Sequence, residues 1–262
     1  MALQLQQRLE QGKSRLPSSM LGLSTLELEL LLNQSLKGIE NNELETKGGN
    51  YFYTDYFSNT AKSVQGKIPQ TRYLETPQII IKEKGVQYTI QQNPILEARI
   101  NKLLIKFKKP NGETHSERKI FTKRFRKERE WIIKNQEDII IYLFGRQKNY
   151  IDTGIPLNLQ EIYQTDVAHK LDLSESTICR LVKNLTIQLP DNRIIFAQEL
   201  MPGQKTSLNR GKYALEELQK DESVYNNGEW QVSDNELVPI LNDRYNIKIA
   251  RRTVAKYKSK LN

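Results

Sequence analysis

The stretch from Glu117 to Gly145 constrains the fold more than any other part of the sequence. Phe125, Ile132, Ile139 and Leu143 recur there at heptad-like spacing. That period gathers them on one stripe of an α-helix and predicts a single long helix with the stripe buried. A helix of this length organises whatever packs on it, so a mainly α protein is expected. Its first half carries Lys119, Lys123, Arg124, Arg126, Lys127 and Arg129. Such a run reads either as a solvated face or as a set of contacts to a phosphate backbone.

The balance of charge favours a polyanionic partner. The 262 residues carry a net charge of +9, with a pI near 9.4, and a basic chain of this kind attracts nucleic acid. No apolar run approaches the ~20 residues that span a bilayer, and the N-terminus is polar and glutamine-rich. A cytoplasmic, nucleoid-associated protein without a membrane segment is expected. The single cysteine, Cys179, excludes an internal disulfide and a multi-cysteine zinc site, and it is expected to be a small buried side chain on a helix. No His/Cys/Asp/Glu group has metal-ligand spacing, no glycine loop is built to cradle phosphate, and His115 and His169 stand in polar surroundings. Neither a catalytic site nor a metal nor a cofactor is expected.

Before the long helix the chain changes character three times. Up to Glu45 it is rich in Leu and Gln, and Ser24-Thr25-Leu26-Glu27 has capping-box spacing. The following Leu-Glu run predicts a helix stopping at Lys37-Gly38. Leu23, Leu26, Leu28, Leu30, Leu31 and Leu32 leave it few polar faces, so it packs either on its own core or on another protein. From Lys47 to Arg72 the composition of Gly, Asn, Ser, Thr and Tyr predicts a linker without helical period. Ile79 to Ile90 reads as a β-hairpin turning near Gly85, and Pro94 then opens a helix that ends before Pro110.

Beyond the long helix, two segments have the pattern of a helix-turn-helix. In the first, Gln164 to Lys183, Ala168 is the small residue where the helices cross. Val167, Leu171, Leu173, Ile178 and Leu181 lock the pair, and Asp172 takes the turn. Ser174 caps the second helix, which projects Glu175, Ser176, Thr177, Arg180 and Lys183 outward. A pair with a purely structural role has the same pattern. In the second segment, Ser233-Asp234-Asn235-Glu236 is a capping box, and Leu237 and Leu241 share one face. The turn runs through Tyr245-Asn246-Ile247, and a last helix covers Ala250 to Leu261. There Val254, Tyr257 and Leu261 face inward, while Arg251, Arg252, Lys256, Lys258 and Lys260 have no acidic neighbour in the helix. An outward arginine on such a helix can hold a guanine edge bidentately. Between the two segments, Tyr213 to Lys220 reads as a short helix and Asp221 to Gly228 as a linker.

The nine residues ARRTVAKYK at 250–258 closely resemble the terminal box of the sigma-54 (sigma-N) family of RNA polymerase factors. DVAHKLDLSESTICR at 166–180 is similar to that family's DNA-binding region, with Cys179 where serine is usual. LGLSTLELELLLNQSLKGIENNELE at 21–45 resembles its Leu/Gln-rich regulatory region. YLETPQIIIKEKGVQYTIQQNP at 73–94 is similar to the later part of its core-binding region.

The resemblance implies a mainly α, multi-domain protein with a small β-hairpin and two helix-turn-helix units. Its implied divisions are a regulatory region at 1–46, a linker at 47–72 and a shortened core-binding region at 73–150. A helix-turn-helix domain at 151–203 and a C-terminal DNA-binding domain at 204–262 follow. The implied partners are core RNA polymerase, double-stranded promoter DNA and an AAA+ ATPase activator that opens the closed complex. Arg251 and Arg252 would read a promoter GG element, with Lys256, Tyr257 and Lys258 supporting the helix or meeting phosphate. Glu175, Ser176, Thr177, Arg180 and Lys183 would sit near a GC element on the order of 10 base pairs away. Leu23, Leu26, Leu28 and Leu30 would belong to a regulatory, polymerase-contacting helix. The short 47–72 stretch leaves no room for the helical lobe that family members carry there, so a repressor or decoy that occupies promoters without recruiting polymerase is the alternative.

Overall fold

The computed structural model describes residues 23–40, 59–84, 87–108, 115–203 and 205–261. It is mainly helical and divides into two compact units. The first comprises residues up to 141 together with 168–198; the second comprises 142–167 and 199–262. Two of its three boundaries fall inside α-helices and the third inside the short 3-10 helix Ala197–Leu200, none of them in a loop.

In the first unit, α1 (Thr25–Glu40) begins as its capping box dictates. The Glu27 N–H donates to Ser24 Oγ at 3.2 Å, and the Ser24 N–H donates back to Glu27 Oε2 at 2.8 Å. The helix does not stop at Lys37-Gly38 but runs on to Glu40. One helical glycine costs about 1 kcal/mol, less than α1 gains by burying its leucines. Leu28, Leu31 and Leu32 pack with Ile100, Leu104 and Phe125 in one core cluster.

The expected linker at 47–72 is corrected from residue 59 onward. Residues 59–64 are helical, and α2 (Gln70–Glu75) follows. Ala61 and Val64 are fully buried in the same cluster as the α1 leucines. Few apolar residues were needed to make this stretch structural, because α1 already supplied the surface. Residues 47–58 lie outside the described residues.

The hairpin forms as expected from β1 (Ile79–Lys84) and β2 (Gln87–Gln92), with Ile81 opposite Ile90; its turn at Gly85 lies outside the described residues. The hairpin is half of a larger sheet. β3 (Thr186–Gln188) runs parallel to β1, with Ile79 opposite Ile187, and β4 (Ile194–Phe196) closes the order β2-β1-β3-β4. Strands of three residues are too short to show alternation, which is why the sequence hid them.

Asn93 starts α3 (Pro94–Lys108) by accepting the Ile95 N–H at 3.0 Å. Leu96, Ile100 and Leu104 turn inward. α4 (His115–Thr153) is the long helix; Phe125, Ile132, Ile139 and Leu143 are buried along it. It continues past Gly145 because that glycine sits on the open face, while Gln147 beyond it is buried. Gln147 donates to the carbonyls of Gln160 and Leu200. Arg129, expected on the solvated face, is buried and ion-paired with Glu97. The described cations Lys119, Lys123, Arg124, Arg126 and Lys127 are exposed. α5 (Gln164–Leu171) and α6 (Glu175–Val182) follow.

In the second unit, α7 (Lys205–Leu218) starts eight residues earlier than Tyr213, where the helix was expected. Gly211 lies mid-helix because a Cβ there would come within 2.9 Å of Ile249 Cδ1. The expected linker at 221–228 contains β5 (Tyr225–Asn226), paired with β6 (Glu229–Trp230) across Asn227 and Gly228. Both turn residues have positive φ, the geometry that Asn-Gly favours in two-residue hairpins. α8 (Asp234–Tyr245) and α9 (Arg251–Leu261) complete the unit. Leu215, Leu218, Leu237, Leu241, Ile247 and Val254 form its core. No helix among the described residues is long and apolar enough to cross a membrane.

Candidate nucleic-acid interface

The seat of α9 is built from α7, α8 and the chain between them. Ser233 accepts the Glu236 N–H at 3.4 Å and Glu236 accepts the Ser233 N–H at 2.7 Å, closing the capping box that starts α8. The Ser233 N–H, with the Ser233 hydroxyl, holds the Glu236 carboxyl below its usual pKa. α8 ends on Asn246, whose φ of 51° and ψ of 47° turn the chain sharply; asparagine takes this left-handed conformation at lower cost than most side chains. Ile247 and Ile249 then enter the core, Ile249 against Gly211. Arg244 pins Asp221 at 2.6 Å. That guanidinium, with the Ser223 hydroxyl and N–H, lowers the Asp221 pKa to about 2.

On this seat α9 has two distinct sides. Val254 is buried, and Tyr257 and Leu261 pack half-buried against the same core. Arg251, Arg252, Lys256 and Lys260 are exposed. At 3.6 residues per turn, Arg252, Lys256 and Ser259 share the face opposite Val254 and Leu261. No acidic residue stands in the first turn, where the helix dipole would favour one. The arginines there oppose the dipole. The arrangement provides a row of exposed donors able to meet phosphate and base-edge acceptors.

Lys258 departs from the expected row. Its Nζ lies 2.9 Å from Asp234 Oδ1 and 5.1 Å from the centre of the Trp230 ring, with only 17% of the side chain accessible. Its ammonium is thus engaged with the start of α8 rather than standing free like that of Lys256. The acid that captures it sits in another helix, where the sequence of α9 could not show it.

The α5–α6 segment has the turn that was expected. Asp172 adopts φ 52°, and the Leu173 N–H donates to the Ala168 carbonyl at 3.0 Å. Ser174 caps α6, accepting the Thr177 N–H. Ile178, Leu181 and Val182 are buried, while Glu175, Ser176, Arg180 and Lys183 are exposed. Thr177 is half-buried, and its hydroxyl lies 2.8 Å from Ser174 Oγ, so it is less outward than expected. Cys179 is exposed, correcting the expectation of a buried thiol: it falls on the face away from Ile178 and Leu181.

The leucines expected to meet a partner are mostly inside. Leu23, Leu26 and Leu28 are buried and Leu30 is half-buried against the core cluster. Glu27, fully buried among them, accepts the Gly66 N–H at 2.7 Å and fastens α1 to the segment that follows. Among the described residues no group of three or more His, Cys, Asp or Glu side chains could hold a metal ion.

A helical unit that buries an apolar seam and presents arginine and lysine on an acid-free helix after a tight turn has the build of a DNA-contacting domain. The comparisons agree: the family described as Sigma-54, DNA binding domain matches residues 110–262. The chain belongs to that family. It is also similar to the RNA polymerase sigma-54 factor of Bacillus subtilis (strain 168), with 36% identity over 134 residues. That match covers 47% of this chain and 29% of the relative, so the chain spans less than a third of its relative's length.

Proposed function

We propose that this chain is a transcription-initiation factor of the sigma-54 type, guiding core RNA polymerase to promoter DNA without a catalytic site or cofactor of its own. One observation carries the reading: the family match includes α9, and α9 turns Arg251, Arg252 and Lys256 outward from a packed apolar seat. In this reading α8 and α9 form a helix-turn-helix. Arg251 and Arg252 read a GG element in the major groove, Lys256 meets phosphate, and Tyr257 and Lys258 hold the helix in place. The second helix-turn-helix, α5–α6, lies toward a GC element, with Glu175, Ser176, Arg180 and Lys183 facing DNA and Thr177 shaping the start of α6. The complex stays closed until an AAA+ ATPase activator remodels it. α1 takes the regulatory role as a docked helix, its leucines acting through its seating rather than by direct contact. The protein works in the cytoplasm, on the nucleoid.

The test is a gel shift on duplex DNA carrying GG and GC elements against a scrambled duplex, with and without core polymerase. Preference for the element-bearing duplex and a further shift with polymerase are expected. No preference between the duplexes would defeat the reading. Specific binding that polymerase does not alter would favour a repressor or decoy.

A further inference from the structure

The turn that leads into α9 is pinned by two neighbouring residues of α7. Tyr245 ends α8, so no residue of its own helix reaches its carbonyl. Arg210 Nη2 donates to that carbonyl at 3.2 Å, a cation at the negative end of the helix dipole. Arg210 is half-buried, and its buried Nε has no partner. Among the described residues, none of the ion pairs of this unit includes it. Such a cation is a poor source of stability. Beside it, Gly211 is buried, and a Cβ there would lie 2.9 Å from Ile249 Cδ1 and 3.8 Å from Ile247 Cγ2. Glycine is disfavoured inside a helix relative to alanine, and both side chains that it admits come from the chain between α8 and α9. That helix does not fix its own start. α6 and α8 begin on the serine caps Ser174 and Ser233. The Thr253 and Val254 N–H groups instead donate to the Ala250 carbonyl, and an alanine side chain cannot cap.

We propose that Arg210 and Gly211 are positioning residues for α9. Together they set the angle at which it presents Arg251 and Arg252, and so the sharpness with which the chain discriminates its DNA element. The inference rests on the DNA reading proposed above and adds what holds the reading helix in place. The two contacts bracket the turn. Arg210 fixes the last carbonyl before the left-handed Asn246, and Gly211 takes Ile247 and Ile249 after it. A turn held on both sides fixes the direction in which α9 leaves it. Base edges and phosphates respond differently to an error in that direction. A bidentate arginine–guanine contact needs both hydrogen bonds within a few tenths of an ångström of about 2.9 Å. A lysine on its flexible stem follows a phosphate through a small rotation of the helix. Loss of either contact in α7 should therefore blunt discrimination and spare sequence-independent affinity. A role confined to stability would lower the unfolding midpoint and leave discrimination intact.

The test measures, by fluorescence anisotropy across a range of salt, the affinity of the full chain for a duplex carrying a GG element and for a scrambled duplex. Arg210→Met removes the guanidinium and keeps an unbranched apolar chain. Gly211→Ala supplies the methyl, and Gly211→Ala with Ile249→Val then removes the Cδ1 that the methyl meets. The ratio of the two affinities should fall about tenfold in Arg210→Met and in Gly211→Ala. The salt slope and the affinity for the scrambled duplex should stay at wild-type values. The double variant should recover most of the ratio, as relief of a contact would and a change in helix propensity would not. Alanine favours α7 rather than weakening it, so Gly211→Ala keeps the test decisive where Arg210→Met fails to fold. A wild-type ratio in the variants that fold, or equal losses on both duplexes, would overturn the inference and leave the proposed function standing. Failure of Ile249→Val to restore the ratio lost in Gly211→Ala would remove Gly211 from the positioning role. A wild type that does not distinguish the duplexes would instead defeat the proposed function, and this inference with it.

Discussion

α1 and α9 are both short helices with one conspicuous chemistry, leucine in the first and arginine or lysine in the second, and the fold treats them oppositely. Leu28, Leu31 and Leu32 of α1 disappear into a core formed with Ile100, Leu104 and Phe125. Arg251, Arg252 and Lys256 of α9 stay in solvent. The difference lies in what can satisfy each side chain. Any apolar surface covers a leucine, so a chain with spare isoleucine and phenylalanine buries its own. A cation gains from burial only with an acid in reach, and among the described residues the ion pair on α9 is Lys258 with Asp234. Conspicuous leucines are thus weak evidence of an external partner, whereas unpaired cations that oppose a helix dipole are stronger evidence.

The largest effect that could break this comparison is in α1. Leu31→Ala removes a fully buried side chain and should cost about 2–5 kcal/mol of stability, read as a lower urea midpoint. DNA binding through α9, measured well below that midpoint, should be unchanged. A cost near zero would mean that α1 is not core.

Next in size is Arg252→Ala. Loss of about 1–3 kcal/mol in binding to GG-element DNA is expected, with blurred discrimination at that element. The unfolding midpoint should hold or rise slightly, because a cation leaves the positive end of the helix dipole. Equal losses on element-bearing and scrambled duplexes would reduce Arg252 to a phosphate contact.

A smaller effect tests the seat rather than the row. Asp221, held at about 2 by Arg244 and Ser223, titrates below the unfolded carboxylate value of about 3.9. A depressed folded pKa stabilises the unit above the unfolded value, and that contribution is lost as pH falls through about 2. The urea midpoint should therefore decline between about pH 4 and pH 2, and Asp221→Asn should flatten that decline. An identical decline in the variant would remove Asp221 from the seat.

The parts of this protein that were legible in its sequence are those whose signals are local. Both capping boxes, the positive-φ turn residues Asp172 and Asn246, the long stripe of α4 and the inward Val254 all rest on neighbours within a few positions. What sequence reading missed depends on distant partners. β3 and β4 exist because β1 offers an edge, residues 59–64 are helical against α1, and Arg129 is buried by Glu97. The β5–β6 hairpin is the exception: Asn227-Gly228 was a turn signal in plain view. At the candidate interface, the exposed arginines follow from period alone, whereas the capture of Lys258 by Asp234 does not.

That capture gives the finest test of the comparison, because Lys256 and Lys258 lie two residues apart on one helix with opposite surroundings. Lys256 is exposed and has no ion pair among the described residues; Lys258 is held between Asp234 and the Trp230 ring. A lysine that meets phosphate releases a counterion, so Lys256→Ala should lower the salt dependence of DNA binding by about one charge, with no cost in stability. Lys258 is already neutralised by Asp234, and breaking that pair to reach phosphate would leave the carboxylate unpaired near DNA. Lys258→Ala should therefore change the salt slope by a small fraction of a charge and cost about 0–1 kcal/mol of stability. Asp234→Asn separates the two roles further. It frees Lys258 without removing it, and should steepen the salt slope if the released ammonium reaches the duplex. Salt slopes for the three variants, taken by anisotropy on one GG-element duplex, decide the matter. A full-charge loss in Lys258→Ala would return Lys258 to the row of contacts and make α9 a helix whose cations all face DNA.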